Sequence, residues 1–434
     1  MTDEWGTTMA DTSERQSFLD RLQLVGIPAS EVPEKIVVEG HMVVTGDPAT
    51  SAMKPYPLIA RDVAHLKVIA GQPWPPDGSE AGDPIEYPPP IAADRQRVVR
   101  ASRGDGDALR STLTPEEHLS VRQAILAYVT GDPAKVAPEW VDLANAIHFP
   151  MQLSAFAAEG IYVVAGGTYE LAADGLVTVT SVYVEAGGTI LVKAHVQMNV
   201  QGKFTAESRP GNTTPTIRVI GDSGANGANG LHSFGSGKDG GTGTAAGVND
   251  KGQCISVATD GGTAAGGTSG GAASNGGPGS KASEFIVNAD ILDGSIVVEI
   301  AGGAGGKGGE GGTGQTGGRG GIGGAAAGGC PQGRGGNGGV GGTGGAGGNG
   351  GNGGAGSICT LVGSLVGGQP PKLTDTVARG GAPGVGGSGG AGGAGGAGSP
   401  AGTNGASGKN GDAGQPGAPG LPGELRVFNT RTSS

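Results

Sequence analysis

Aromatic side chains are scarce. They make up 4% of the 434 residues, and between 205 and 423 only Phe234 and Phe285 occur. That excludes a large conventional apolar core in the second half. Cysteine is nearly absent too: Cys254, Cys330 and Cys359 are odd in number and far apart, which writes neither a disulfide framework nor a zinc motif. A reduced compartment is the simpler expectation, with a Cys330–Cys359 bridge left open. No run approaches the roughly 18 apolar residues of a membrane span. The opening Met1, Thr2, Asp3, Glu4 and Trp5 lack the basic and apolar regions of a secretory signal, so no export is expected and the place of action stays open between cytoplasm and an assembled particle. The net charge of −11 lacks the basic stripe of a general nucleic-acid binder.

Catalytic constellations are missing as well. His41, His65, His118, His148, His195 and His232 fall in no metal-ligand spacing, and each reads as a surface or packing residue. Gly306-Lys307 is followed by Gly308, so no phosphate loop forms. The calcium-binding glycine repeats need a periodic Asp, and 301–356 contain none. Asp105-Gly106-Asp107 reads as a turn, and the Arg103-Gly104-Asp105 tripeptide is too short to carry meaning. No enzyme activity, cofactor or metal site is expected.

What the chain has is glycine: 95 residues, 56 of them after residue 300. Glycine and proline together make about 28%, the level of low-complexity sequence. Residues 1–150 nevertheless read as a small mixed α/β region. A helix with Phe18, Leu19 and Leu22 on one face follows Thr12 and Ser13. A second starts at Thr114, where Pro115 and Glu117 complete a capping box, with Leu119, Ile125, Leu126 and Val129 as its stripe. A third runs from Pro138 with Trp140, Leu143 and Ile147. Residues 36–45 alternate like a short strand pair, and the proline-rich 72–92 reads as a linker. In 151–220 the character changes. Tyr162, Val163, Ala165, Gly166, Gly167 and Thr168 recur 21 residues later as Tyr183, Val184, Ala186, Gly187, Gly188 and Thr189. A period near 20 of strands and tight turns predicts a short parallel β-solenoid.

From 221 to 434 a period of three takes over. Gly-Gly-x triplets fill 302–325, 335–355 and 386–397, and a Gly-x-y run occupies 402–423. Three residues per turn is the polyproline II pitch, which has no internal hydrogen bonds, so its backbone groups need neighbours. With glycine at two positions of three, such neighbours can approach closely. These runs predict a glycine-rich polyproline II helical bundle with interspersed β-strands at 295–300, 358–366 and 424–428. The regular phase, the lack of serine in 301–356 and the β-branched inserts argue against a flexible linker, and too few prolines argue against collagen.

The runs resemble the glycine-rich bundles of snow-flea antifreeze proteins and the tip adhesins of T4-type phage tail fibres. They also resemble the PGRS repeats of mycobacterial proteins. The resemblance covers about 221–423 and implies fold more than function.

The expected function is therefore non-enzymatic recognition or adhesion. A rigid scaffold would display loops, as in a phage-tail or surface adhesin, to a cell-surface or particle component. A structural self-associating protein and an ice-binding protein are the alternatives. Candidate binding loops are Leu231, His232, Ser233 and Phe234, and Thr360 to Gln369, expected to cluster at the bundle ends. Asn337, Val340, Thr343, Ala346, Asn349 and Asn352 form a candidate flat face of small, uncharged, evenly spaced residues.

Overall fold

The computed structural model describes residues 12–24, 26–70, 87–91, 106–207, 214–366, 369–374 and 377–430. Most of the proline-rich stretch expected at 72–92, and the Arg103-Gly104-Asp105 tripeptide, lie outside them.

The architecture is of the α/β type, dominated by two mostly parallel β-sheets with few helices. The larger sheet has eight strands: β1 (Ile36–Val38), β4 (Met151–Val163), β6 (Gly175–Val184), β8 (Val196–Ala206), β12 (Phe285–Gly294), β14 (Ile358–Val366) and β16 (Glu424–Asn429) in that order, with β3 (Tyr56–Ala60) antiparallel on β4. The smaller has six, in the order β15 (Lys372–Thr374), β13 (Val297–Ala301), β9 (Ile217–Ile220), β7 (Thr189–Val192), β5 (Thr168–Leu171) and β2 (His41–Val44). The chain alternates between the sheets. Period-two side chains such as Val163, Val184, Tyr169, Ile190, Phe285 and Val298 bury one face of each strand in a shared core. The 21-residue repeat is the register of this stacking: Tyr162 pairs with Tyr183 in one sheet and Thr168 with Thr189 in the other. Gly166 and Gly187 turn the corners at φ +80° and +99°, which favour glycine.

This overturns the expected fold class, a small mixed α/β region and short β-solenoid followed by a polyproline II helical bundle. The strands expected at 295–300, 358–366 and 424–428 as inserts in a glycine body continue the same two sheets: β12 and β13 pair with β8 and β9 of 151–220, and β14, β16 and β15 add on beyond them. The glycine stretches are the connections that leave one sheet and return to the other. The physical reason is that a short strand inside glycine carries no local sign of which sheet it will join. The pair expected at 36–45 is likewise divided, β1 joining the larger sheet and β2 the smaller.

The connections run out and back three times: 221–246 with 257–284, 302–326 with 331–357, and 377–398 with 401–423. They are tied by backbone hydrogen bonds in two directions. Within an out-and-back pair, Gly277 N–H donates to Ala225 O at 2.7 Å and Gly351 N–H to Gly306 O at 2.8 Å. From one rung to the next, Gly224 donates to Ala304 O and Gly305 to Arg379 O, at 2.8 and 2.9 Å. The third amide of many triplets finds a side chain: Lys307 N–H donates to Asn226 Oδ1 and Glu310 N–H to Asn229 Oδ1, both at 2.9 Å. Such spacing tolerates no side chain inside; a Cβ on Gly312 would lie 1.9 Å from Leu231 O.

Amides such as Gly306 and Gly381 point back to the earlier rung, to Gly277 O and Gly351 O, but between like rows, outbound to outbound and return to return, the ladder has a direction toward later rungs. The last rung ends it. Positions matching the donors Gly308, Gly350, Gly353 and Gly356 are occupied there by Pro383, Pro416, Pro419 and Pro422, which have no N–H. Gly389 and Gly395 N–H turn back onto Asn410 Oδ1 and Asn404 Oδ1 at 3.0 and 2.9 Å.

Helices gather at the N-terminal side. α1 (Thr12–Leu24) seats Phe18 and Leu22 against β3 and β4. α2 (Val63–Ala70), α3 (Gly106–Thr112), α4 (Pro115–Thr130) and α5 (Pro138–His148) pack together. The capping box at Thr114 is formed in both directions. The stripe of α4 differs from expectation: Leu119 is exposed, while Val121, Ala124 and Ala127 are buried.

Candidate functional site

The far end of the glycine connections collects their turns. The first turn is a hairpin of β10 (Gly247–Val248) and β11 (Cys254–Ser256), antiparallel. Asn249 shapes it: its Oδ1 accepts the Lys251 and Gln253 amides at 3.1 and 2.8 Å, an Asx turn that Gly252 at φ +73° closes. The second turn spans 327–330, where Cys330 N–H donates to Ala327 O. A disulfide joins the two turns through Cys254 and Cys330, with Cα atoms 5.3 Å apart. The bridge left open from sequence, Cys330–Cys359, is thus replaced, and the expectation of fully reduced cysteines is corrected. Cys359 is free and buried in β14, where burial pushes its thiol well above the ordinary range; it is unsuited to chemistry with solutes.

Around this hairpin apolar side chains face solvent. Ile255 is 68% and Val257 66% exposed, and Val248 is also exposed. Sequence reasoning missed these residues. The signal was present: Val248, Ile255 and Val257 flank a cysteine between glycine runs, where a turn and a staple coincide.

The residues singled out from sequence are dispersed. Leu231, His232, Ser233 and Phe234 lie midway along the first outbound connection and not at its end. Leu231 and Phe234 are almost fully exposed. Ser233 Oγ donates to Ser269 O at 2.8 Å. Thr360 belongs to β14, paired with Ile286 and Arg426 on either side, and Gln369 is exposed beyond residues 367–368, which are outside the described set. The structure therefore does not bring 231–234 and 360–369 together.

The row Asn337, Val340, Thr343, Ala346, Asn349 and Asn352 lies exposed along one return connection. Three members are committed within the molecule: Asn337, Asn349 and Asn352 Oδ1 accept the Thr403, Gln415 and Ala418 amides at 2.8–3.0 Å. Thr343 Oγ1 donates to Ser269 Oγ at 2.8 Å. Asparagine at these places satisfies backbone donors, which accounts for its recurrence.

Among the described residues no cluster of three or more His, Cys, Asp or Glu could hold a metal ion, and no helix is long and apolar enough to cross a membrane. No family model and no curated protein matches the chain. Among solved structures it is similar to a springtail antifreeze protein from Granisotoma rainieri, described as a nine polyproline type II helical bundle whose crystal waters match the ice lattice. Identity is 25% over 47% of this chain and 98% of that one, with a TM-score of 0.07. Backbones that superpose so poorly support no statement about shared fold or ligand.

Proposed function

We propose that this chain is a non-enzymatic recognition protein of the adhesin kind, which meets a cell-surface or particle component with the far turns of its glycine connections. The observation that carries the reading is the exposed Val248, Ile255 and Val257 on a hairpin held by the Cys254–Cys330 disulfide. Solvent-facing apolar groups gain free energy only when something covers them, about 25 cal/mol per Å². A staple beside them limits the entropy lost when they are covered. Turns held by a hydrogen-bonded scaffold are also where recognition usually sits.

The test is binding of the fluorescently labelled full chain to a panel of bacterial cells. The triple substitution Val248→Ser, Ile255→Ser and Val257→Ser is expected to abolish staining while leaving the circular dichroism unchanged. Staining that survives it overturns the reading.

A further inference from the structure

The first outbound connection carries one residue more than the row it pairs with. Gly230 donates to Glu310 O and Ser233 to Thr313 O, but the next donor is Gly237, to Thr316 O. The surplus arches out at 234–236, with Gly235 at φ +85°. The neighbouring row answers at the same level. At Gln315 a triplet of 302–325 lacks its second glycine, and the side chain put there repairs the break. Gln315 Nε2 donates to Phe234 O at 3.0 Å, and Gln315 Oε1 accepts from Thr268 N and Oγ1 at 3.0 and 3.1 Å. Thr268 is the residue whose backbone partner the bulge removes.

What the bulge displays is unlike the rest of the connections. Leu231 is 83% and Phe234 82% exposed, on a stretch otherwise almost free of aromatics. The His232 and Phe234 ring centroids lie 5.8 Å apart, tilted by 50°. His232 Nδ1 accepts the Thr313 amide at 3.1 Å, so the neutral ring, assigned from this bond, carries its proton on Nε2. Thr316, Lys238 and Asp239 are exposed nearby.

The geometry points to a binding site for a neutral saccharide at this bulge. A single aromatic face among hydroxyls and charged groups matches a pyranose, which has one face of C–H groups and a rim of hydroxyls. Phe234 meets the C–H face, Leu231 extends it, and His232 Nε2–H donates to a ring hydroxyl. Two apolar side chains are too few for the core of a protein interface. The net charge of −11 opposes phosphorylated or sulfated ligands. The site is separate from the far turns, so its failure leaves the proposed function untouched.

The experiment is an array of immobilised neutral and acidic oligosaccharides probed with the labelled full chain. Binding to neutral glycans is expected, weakened at least about tenfold by Phe234→Ala, restored by Phe234→Trp, and unchanged by Ile255→Ser with Val257→Ser. No neutral glycan bound, acidic glycans alone bound, or equal binding by Phe234→Ala would each overturn the assignment. Because Phe234 is exposed, its substitution leaves the fold intact, which melting of the variant verifies.

Discussion

Gln315 and Phe234, 81 residues apart, are joined by one hydrogen bond from the Gln315 side-chain amide to the Phe234 carbonyl. This bond and the two to Thr268 make a side chain do the work of missing backbone. Gln315→Ala is therefore expected to cost about 1–2 kcal/mol, since it leaves a donor and an acceptor without partners. Hydrogen exchange is the measurement. The Thr268 amide should lose protection, while the Gly312 amide, held by Gly271 O, keeps its own.

Glycine positions should separate sharply into two classes. At Gly312 an added Cβ meets Leu231 O at 1.9 Å and Gly271 N at 3.0 Å, whereas at Gly241 it meets nothing within 4 Å. Gly312→Ala should therefore destabilise by roughly 3 kcal/mol or more, because backbone must separate. Gly241→Ala should stay within about 0.5 kcal/mol. Paired denaturant titrations decide this; equal midpoints would refute close packing of the connections.

Cys254 and Cys330 close a loop with a sequence separation of 76. Replacing both by serine is expected to cost about 2–4 kcal/mol. The loss should be local, with faster exchange at 247–256 and unchanged exchange in β4 and β6. Free-thiol counting under denaturing conditions should find one reactive group, Cys359, in the untreated protein and three after reduction.

His148, at the end of α5, supplies a pH dependence. Burial, and after it Arg110, Arg122 and His118, holds its pKa below the ordinary 6.5. The unfolded chain therefore takes up this proton at a higher pH than the folded one. Stability should fall as pH drops from about 6.5 to the lowered folded value, then level off. His148→Gln should flatten that stretch of the curve in melts between pH 7 and pH 4.

Some of this was legible in the residues. The Thr114–Glu117 capping box and the Tyr162/Tyr183 repeat are local signals, and the structure forms both. The destination of Phe285–Gly294 and Glu424–Asn429 was not legible, because register with strands far along the chain, Glu424 with Ile358 and Phe285 with Val196, is decided by whole-sheet packing. The cysteine pairing was hidden for the same reason: Cys254 and Cys330 meet because two connections turn at the same level. Gln315 was visible as an irregularity, but its purpose depended on the extra residue in a different connection. The loops at 231–234 and 360–369 were picked by composition, which marks departures from glycine without telling a bulge from a strand or a turn.

The prolines and asparagines on the final rung bear on how such a molecule behaves at high concentration. Repeating units with aligned peptide groups invite end-on recruitment of further copies, the route by which fibrils lengthen. Pro383, Pro416, Pro419 and Pro422 withdraw the hooks, while Asn404 and Asn410 occupy others. Growth through this edge therefore meets a row from which several of the donors used by earlier rungs have been removed.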